Sequence, residues 1–278
     1  MNHPLSPAVV SAWVLVLMFG ACGCSKAPPA APASPPGEIP TPAREISLRP
    51  EQVRFDRNGI ASEIRVERRP ATRLAAHPDP ATPASPAQLL IILGPATLPD
   101  PAFPETRALI VYPAGDWSKT YARLGRASED PLPALREILD HQPQAIGINF
   151  PPAAGHASAR QILRSAVRYL KFHDGRGVRF LTVYQGDPLP IADHDVVYVF
   201  HGLTDDGKYW VTLNLPLNAR VLPAPDAALA ALIDYDHFLQ EHVAYVADVG
   251  RKLERAHPDD FAPRLDRIDA MLESLSIH

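Results

Sequence analysis

The alternation of apolar and polar positions divides the chain into segments of distinct character. Val53 to Phe55 and Ile60 to Val66 alternate apolar with charged residues and flank Asn58-Gly59, a turn-favouring dipeptide, which predicts a short hairpin. Gln88 to Leu93 and Arg107 to Tyr112 are unbroken aliphatic runs bounded by Gly94-Pro95 and Pro113, as buried strands would be. The period then changes. Asp116 to Leu124 and Pro131 to His141 repeat apolar residues at helical spacing, the second with Leu132, Leu135, Ile138 and Leu139 on one face, Asp130 as cap and Pro131 at the first helical position.

Two further hairpins follow. Val167 to Phe172 and Val178 to Tyr184 flank a Gly-containing loop from His173 to Gly177, and Val196 to Leu203 and Tyr209 to Leu215 flank Thr204 to Lys208. In the latter loop Asp205, Asp206 and Gly207 are read as turn residues, with Asp206-Gly207 supplying the positive φ that tight hairpin turns require. The tail switches to helix. Leu232, Leu239, Val246 and Leu253 recur every seven residues with Tyr235 and Val249 between them, a stripe fitted to a sheet or to a partner helix, and His257-Pro258 ends it. Phe261, Leu265, Ile268, Leu272 and Leu275 predict a second amphipathic helix reaching the C-terminus. The pattern therefore predicts an α+β fold: an antiparallel sheet of two or more hairpins packed with a C-terminal helical pair.

The first 44 residues obey none of these periods. An apolar run from Ala8 to Ala21 is too short to span a membrane as a helix but matches the core of an export signal, and it ends at Gly20-Ala21-Cys22-Gly23-Cys24. Residues 1–24 are thus read as a lipoprotein signal peptide and lipobox, with Cys22, or alternatively Cys24, as the lipidated (palmitate-bearing) residue. The segment from Met1 to Pro7 departs from the usual pattern in having no Lys or Arg. Gly23 or Ser25, rather than Asp, follows the candidate cysteine, which favours the outer membrane in an envelope with two membranes. Residues 25–44 are so rich in Pro and Ala that they predict a disordered tether, leaving residues 45–278 as a single globular domain. A second Pro-rich stretch, His77 to Pro86, reads as a surface loop.

The segments GVRFLTVY (Gly177 to Tyr184), FHGLTDDGKYWVTLNLP (Phe200 to Pro216) and DDFAPRLDRIDAMLESL (Asp259 to Leu275) resemble an uncharacterised family of secreted bacterial lipoproteins, in which an RFLT strand precedes a hairpin carrying GLT and DG. The similarity extends upstream to Ile110 to Pro113. His201 stands where that family usually has Gln, and Ile191 to Asp195 replaces its Asn-rich linker. The resemblance implies envelope location and fold, and no activity.

Composition narrows the chemistry. Both cysteines lie in the first 24 residues, so the domain has no thiolate nucleophile and no Cys-based metal site. With 27 basic against 31 acidic residues there is no large cationic field, and nucleic acid is not an expected partner. No cofactor motif occurs: no GxxxxGK[ST], GxGxxG or GxSxG, and HFLQEH (His237 to His242) is not the zincin HExxH. Four constellations remain. Asp193, His194 and Asp195 read as solvated loop residues that would not converge. His201 with Asp205 and Asp206 would pair a base with carboxylates, although Asp206-Gly207 is already explained by the turn. Asp234, His237 and Glu241 share a helical face and read as its solvated side, not as a metal site. Gly155-His156-Ala157-Ser158 places His and Ser together without an acid. A non-catalytic module binding an envelope protein or a polysaccharide is the favoured reading, with an envelope hydrolase using a dispersed His/Asp site as the alternative.

Overall fold

The computed structural model describes residues 46–71, 85–94, 107–147 and 160–278, all within one compact unit. The signal segment with Cys22 and Cys24, the tether, most of the His77 to Pro86 loop and Gly155 to Ser158 lie outside the described residues.

The strands are β1 (Val53–Arg54), β2 (Ile64–Arg69), β3 (Gln88–Leu93), β4 (Ala108–Pro113), β5 (Arg160–Phe172), β6 (Gly175–Gln185), β7 (Val196–Thr204), β8 (Tyr209–Pro216), β9 (Asn218–Ala219), β10 (Phe261–Ala262) and β11 (Ser276–Ile277). The helices are α1 (Ala114–Arg123), α2 (Pro131–His141), α3 (Pro225–Ala230), α4 (Tyr235–Arg255) and α5 (Leu265–Glu273). Seven strands form one sheet in the order β2-β3-β4-β8-β7-β6-β5, with every neighbouring pair antiparallel. The protein is an α+β fold, with both expected hairpins, β5–β6 and β7–β8, inside that sheet.

Both faces of the sheet are covered, which explains the unbroken apolar runs. On β3, Leu89, Ile91 and Leu93 join the core shared with α4 and α5, whereas Leu90 and Ile92 join the core under α1 and α2. Alternating positions therefore meet apolar partners on either side, and no polar face is left on the central strands. α2 is set as its sequence dictates: Asp130 accepts a hydrogen bond from the Leu132 amide at 3.0 Å, Pro131 opens the helix, and Leu132, Leu135 and Leu139 are buried.

Three expectations are corrected. Asn58 and Gly59 adopt positive φ (48° and 76°), but they do not close a hairpin. β1 pairs with β11 at the C-terminus, while β2 is an edge of the large sheet. The His173-to-Gly177 loop is shorter than its glycines suggested, since only His173 and Asp174 separate β5 from β6. Gly177 and Gly202 lie in strands with the far end of the Phe200 ring against them, which leaves no room for a side chain; a Cβ at Gly202 would sit 2.8 Å from that ring. The last helix is also shorter than its apolar spacing, because Phe261 and Ser276–Ile277 extend into β10 and β11. The Ile277 amide donates to Asp174 (2.8 Å) and the His173 amide to the Leu275 carbonyl (3.0 Å), so the β5–β6 turn holds the C-terminal strand.

Candidate functional site

The β7–β8 connection accounts for the candidate acids locally. The Gly207 amide donates to the Thr204 carbonyl at 2.8 Å, and Gly207 has φ +67°, the left-handed conformation that a side chain would strain. Asp206 Oδ1 accepts from the Thr204 hydroxyl (2.7 Å) and the Lys208 amide (3.0 Å), and Oδ2 lies 2.8 Å from Lys208 Nζ. The Lys208 ammonium and amide, then the Thr204 hydroxyl, hold the Asp206 carboxyl down to about 2. Asp205 contributes its amide, which donates to the Asp174 carbonyl at 2.7 Å and ties the two hairpin ends together.

His201 is sandwiched between Phe180 (ring centroids 6.1 Å) and Trp210 (5.8 Å) and is 1% exposed. Burial, then the nearby Arg164 charge, push its pKa down to about 3, so the imidazole is neutral at any ordinary pH. A ring fixed in the neutral form between two aromatics has the character of core packing, and the turn engages the Asp206 carboxylate elsewhere.

Asp193, His194 and Asp195 do come together, contrary to expectation. His194 Nδ1 lies 3.4 Å from Asp193 and Nε2 lies 3.6 Å from Asp195. Both acids nevertheless serve the structure, since Asp193 accepts from Asn218 Nδ2 (3.0 Å) and Asp195 from the Ala192 amide (2.8 Å), which fasten the loop before β7. Asp234 caps α4 through the His237 amide (3.0 Å), and His237 lies 3.6 Å from Glu241 on the exposed side of the helix. Among the described residues no group of three or more His, Cys, Asp or Glu is arranged to hold a metal ion. A cavity of about 110 Å³ lies between Ala71, Pro86, Ala87 and the Asp116, Lys119, Thr120 and Arg123 side of α1, away from every candidate.

Two further features stand out in the folded domain. The first is a buried ionic network around Asp269 of α5, which is 3% exposed. Its carboxylate accepts from Tyr198 OH (2.7 Å), Arg179 Nε and Nη2 (3.2 and 3.3 Å) and Arg168 Nη1 (3.0 Å). Burial, then the Asp269 charge, push the Tyr198 phenol well above its ordinary value, so it remains a donor. At the β5 bulge, where Ala166 has φ +52°, Glu254 of α4 accepts from the Ala166 amide and lies 3.2 Å from the Ser165 hydroxyl. The bulge thus fastens both tail helices. An acid on the apolar stripe of α5, between Ile268 and Leu272, is the one signal the sequence offers.

The second feature is the α3–α4 face. Val249 and Leu253 are buried on the sheet, but Tyr235, Leu239 and Val243, on the N-terminal half of the same helix, are 43%, 41% and 82% exposed. Leu229 and Ile233 beside them are 62% and 93% exposed. Phe238, His242 and Tyr245 form an aromatic group on the adjoining flank, where Tyr245 OH accepts from the Ile191 amide at 2.7 Å. That contact holds α4 to the body of the domain while leaving the aliphatic stripe open. Compared with protein families, curated proteins and solved structures, the chain matches none.

Proposed function

We propose that the chain is an exported, lipid-anchored cell-envelope protein whose globular domain is a non-catalytic docking module acting through the α3–α4 face. The anchor rests on the apolar run Ala8 to Ala21 ending at Cys22. Docking rests on one observation: five large apolar side chains stand exposed within one stretch of chain, Leu229 on α3, Ile233 in the connection and Tyr235, Leu239 and Val243 along α4, while most other large apolar side chains among the described residues are buried or half-buried. Exposed apolar side chains gathered in this way mark an interaction site. Supporting this, the candidate acids serve turns, caps and loop contacts, and the buried histidine is neutral. Ile233, Leu239 and Val243 suit an apolar polypeptide surface better than a polysaccharide, whose hydroxyls would lose hydrogen bonds against them.

The test pairs Ile233→Asp with Val243→Asp in the full chain. The double variant is expected to fold and reach the membrane as the parent does, but to migrate alone when the envelope is solubilised under native conditions. Retention of a parental-size complex would remove this face from the reading. Anchoring is tested separately by Cys22→Ser with Cys24→Ser, which should abolish fatty-acid labelling and membrane association.

A further inference from the structure

We infer that β2 is a self-pairing edge, at which two copies of the chain join antiparallel about a two-fold axis through Val66 and merge their sheets. β2 is the last strand on its side of the large sheet and pairs only with β3. The Gly94 amide donates to the Glu63 carbonyl (3.1 Å) and the Leu93 amide to the Arg107 carbonyl (2.8 Å), which fixes the alternation of the ladder. Glu63, Arg65, Glu67 and Arg69 turn their backbone groups toward β3, and Ile64, Val66 and Arg68 turn theirs outward. Among the described residues no hydrogen bond reaches those outward groups. Val66 is also 41% exposed, although its neighbour Ile91 on β3 is buried. The opposite edge differs, because Glu254 of α4 engages the β5 bulge at Ala166.

Charge selects the alignment. With the axis at Val66, that residue faces its own counterpart and Ile64 faces Arg68, and these pairs exchange N–H···O bonds. Arg65 then faces Glu67, and Glu63 faces Arg69, so the charged pairs on the side of Leu90 and Ile92 are all of opposite sign. Glu67 already lies 2.8 Å from Arg65 and 3.3 Å from Arg69 of its own strand, and pairing links two such sets into one network. Neighbouring alignments are unfavourable. An axis at Arg65 opposes Glu63 to Glu67, and an axis at Glu67 opposes Arg65 to Arg69. An axis at Ile64 needs the Ser62 carbonyl, which Arg57 Nη1 already engages at 2.9 Å, and one at Arg68 needs an amide that Pro70 lacks. Charges on an edge strand ordinarily prevent pairing; here they permit it in one alignment. Because α4 packs beside the other edge, the pair leaves the α3–α4 face open, and a chain released from its docking partner would migrate as two copies.

The test is register-specific cross-linking of the purified full chain. Across the axis the two Val66 Cα atoms would lie about 5.5 Å apart, within disulfide reach, whereas the two copies of residue 68 would lie well beyond it. Under mild oxidation Val66→Cys should form a covalent dimer at least about tenfold faster than Arg68→Cys, with the parent chain, which keeps Cys22 and Cys24, as background. Adding Glu67→Arg to Val66→Cys should bring the dimer down to background, and adding Arg65→Glu to that variant, which exchanges the two charges, should restore it. The denaturation midpoint of each variant, expected to stay near that of the parent, separates pairing from folding. Dimer formation at position 66 no faster than background, equal rates at 66 and 68, or failure of the charge exchange to rescue overturns the inference. Capture of a different polypeptide by position 66 overturns it as well.

Discussion

The two halves of α4 carry one seven-residue stripe and meet two different environments. Toward the C-terminus, Val249 and Leu253 are buried against the sheet, and Glu254 reaches the β5 bulge at Ser165 and Ala166. Toward the N-terminus the same stripe continues through Leu239 and Tyr235 into solvent. The residue types barely change, so the spacing alone does not say which half is core. Where the sheet ends decides it. Apolar periodicity reports that a face is to be covered, and only the tertiary structure divides the covering between the chain itself and something else.

The largest expected effect tests the fastening of the docked tail. Asp269→Ala would leave the Arg179 guanidinium buried without its carboxylate and Tyr198 without its acceptor, and should destabilise the domain by about 3–5 kcal/mol, measured by urea denaturation. A loss below about 1 kcal/mol, the scale of an exposed ion pair, would mean that the network does not hold α5. Next, the two halves of the stripe separate directly: Leu253→Ala should cost about 2–5 kcal/mol, whereas Leu239→Ala should fall within about 0.5 kcal/mol of the parent. Equal costs would erase the distinction.

Much of the fold is legible in the sequence. The β5–β6 and β7–β8 hairpins, α2 with its Asp130 cap and Pro131 start, and the helical tail follow from local pattern and turn chemistry. What is not legible depends on pairings far apart in sequence. Val53 meets Ile277, and Ala108 to Pro113 meet Asn214 to Tyr209, contacts that no local period encodes. The glycines of β6 read as loop residues because a strand glycine under an aromatic ring, such as Gly177 under Phe200, carries the same letter as a turn glycine. Asp206 is legible as a turn residue, whereas Asp234, read as part of a solvated helical face, caps α4, and Asp269 is not legible because its partners Arg168, Arg179 and Tyr198 come from β5, β6 and β7.

A pH-dependent effect comes from His201. Folded, this base binds its proton only near pH 3; unfolded, near 6.5. Its contribution is intact above about pH 6.5 and declines as pH falls toward 3, by about 1.4 kcal/mol per pH unit within that window. Denaturation followed against pH should show this slope, and His201→Gln should flatten it; an unchanged slope in the variant would assign the acid sensitivity to other groups. Gly207→Val should cost on the order of 1–2 kcal/mol, because a β-branched residue is strained at φ +67°. The smallest change is Asp205→Asn, which keeps the amide bonded to Asp174 and should move the denaturation midpoint little. Loss of a binding or hydrolytic activity in a stable Asp205→Asn variant would make the turn a functional site.

Coverage of the open half of α4 is measured most directly by the alkylation rate of Val243→Cys, compared between the detergent-purified full chain and the intact envelope, with Gln240→Cys as reference. The docking account predicts that Cys at position 243 reacts at least about tenfold more slowly in the envelope, while position 240 reacts alike in both. Equal reactivity at position 243 in the two settings would contradict it.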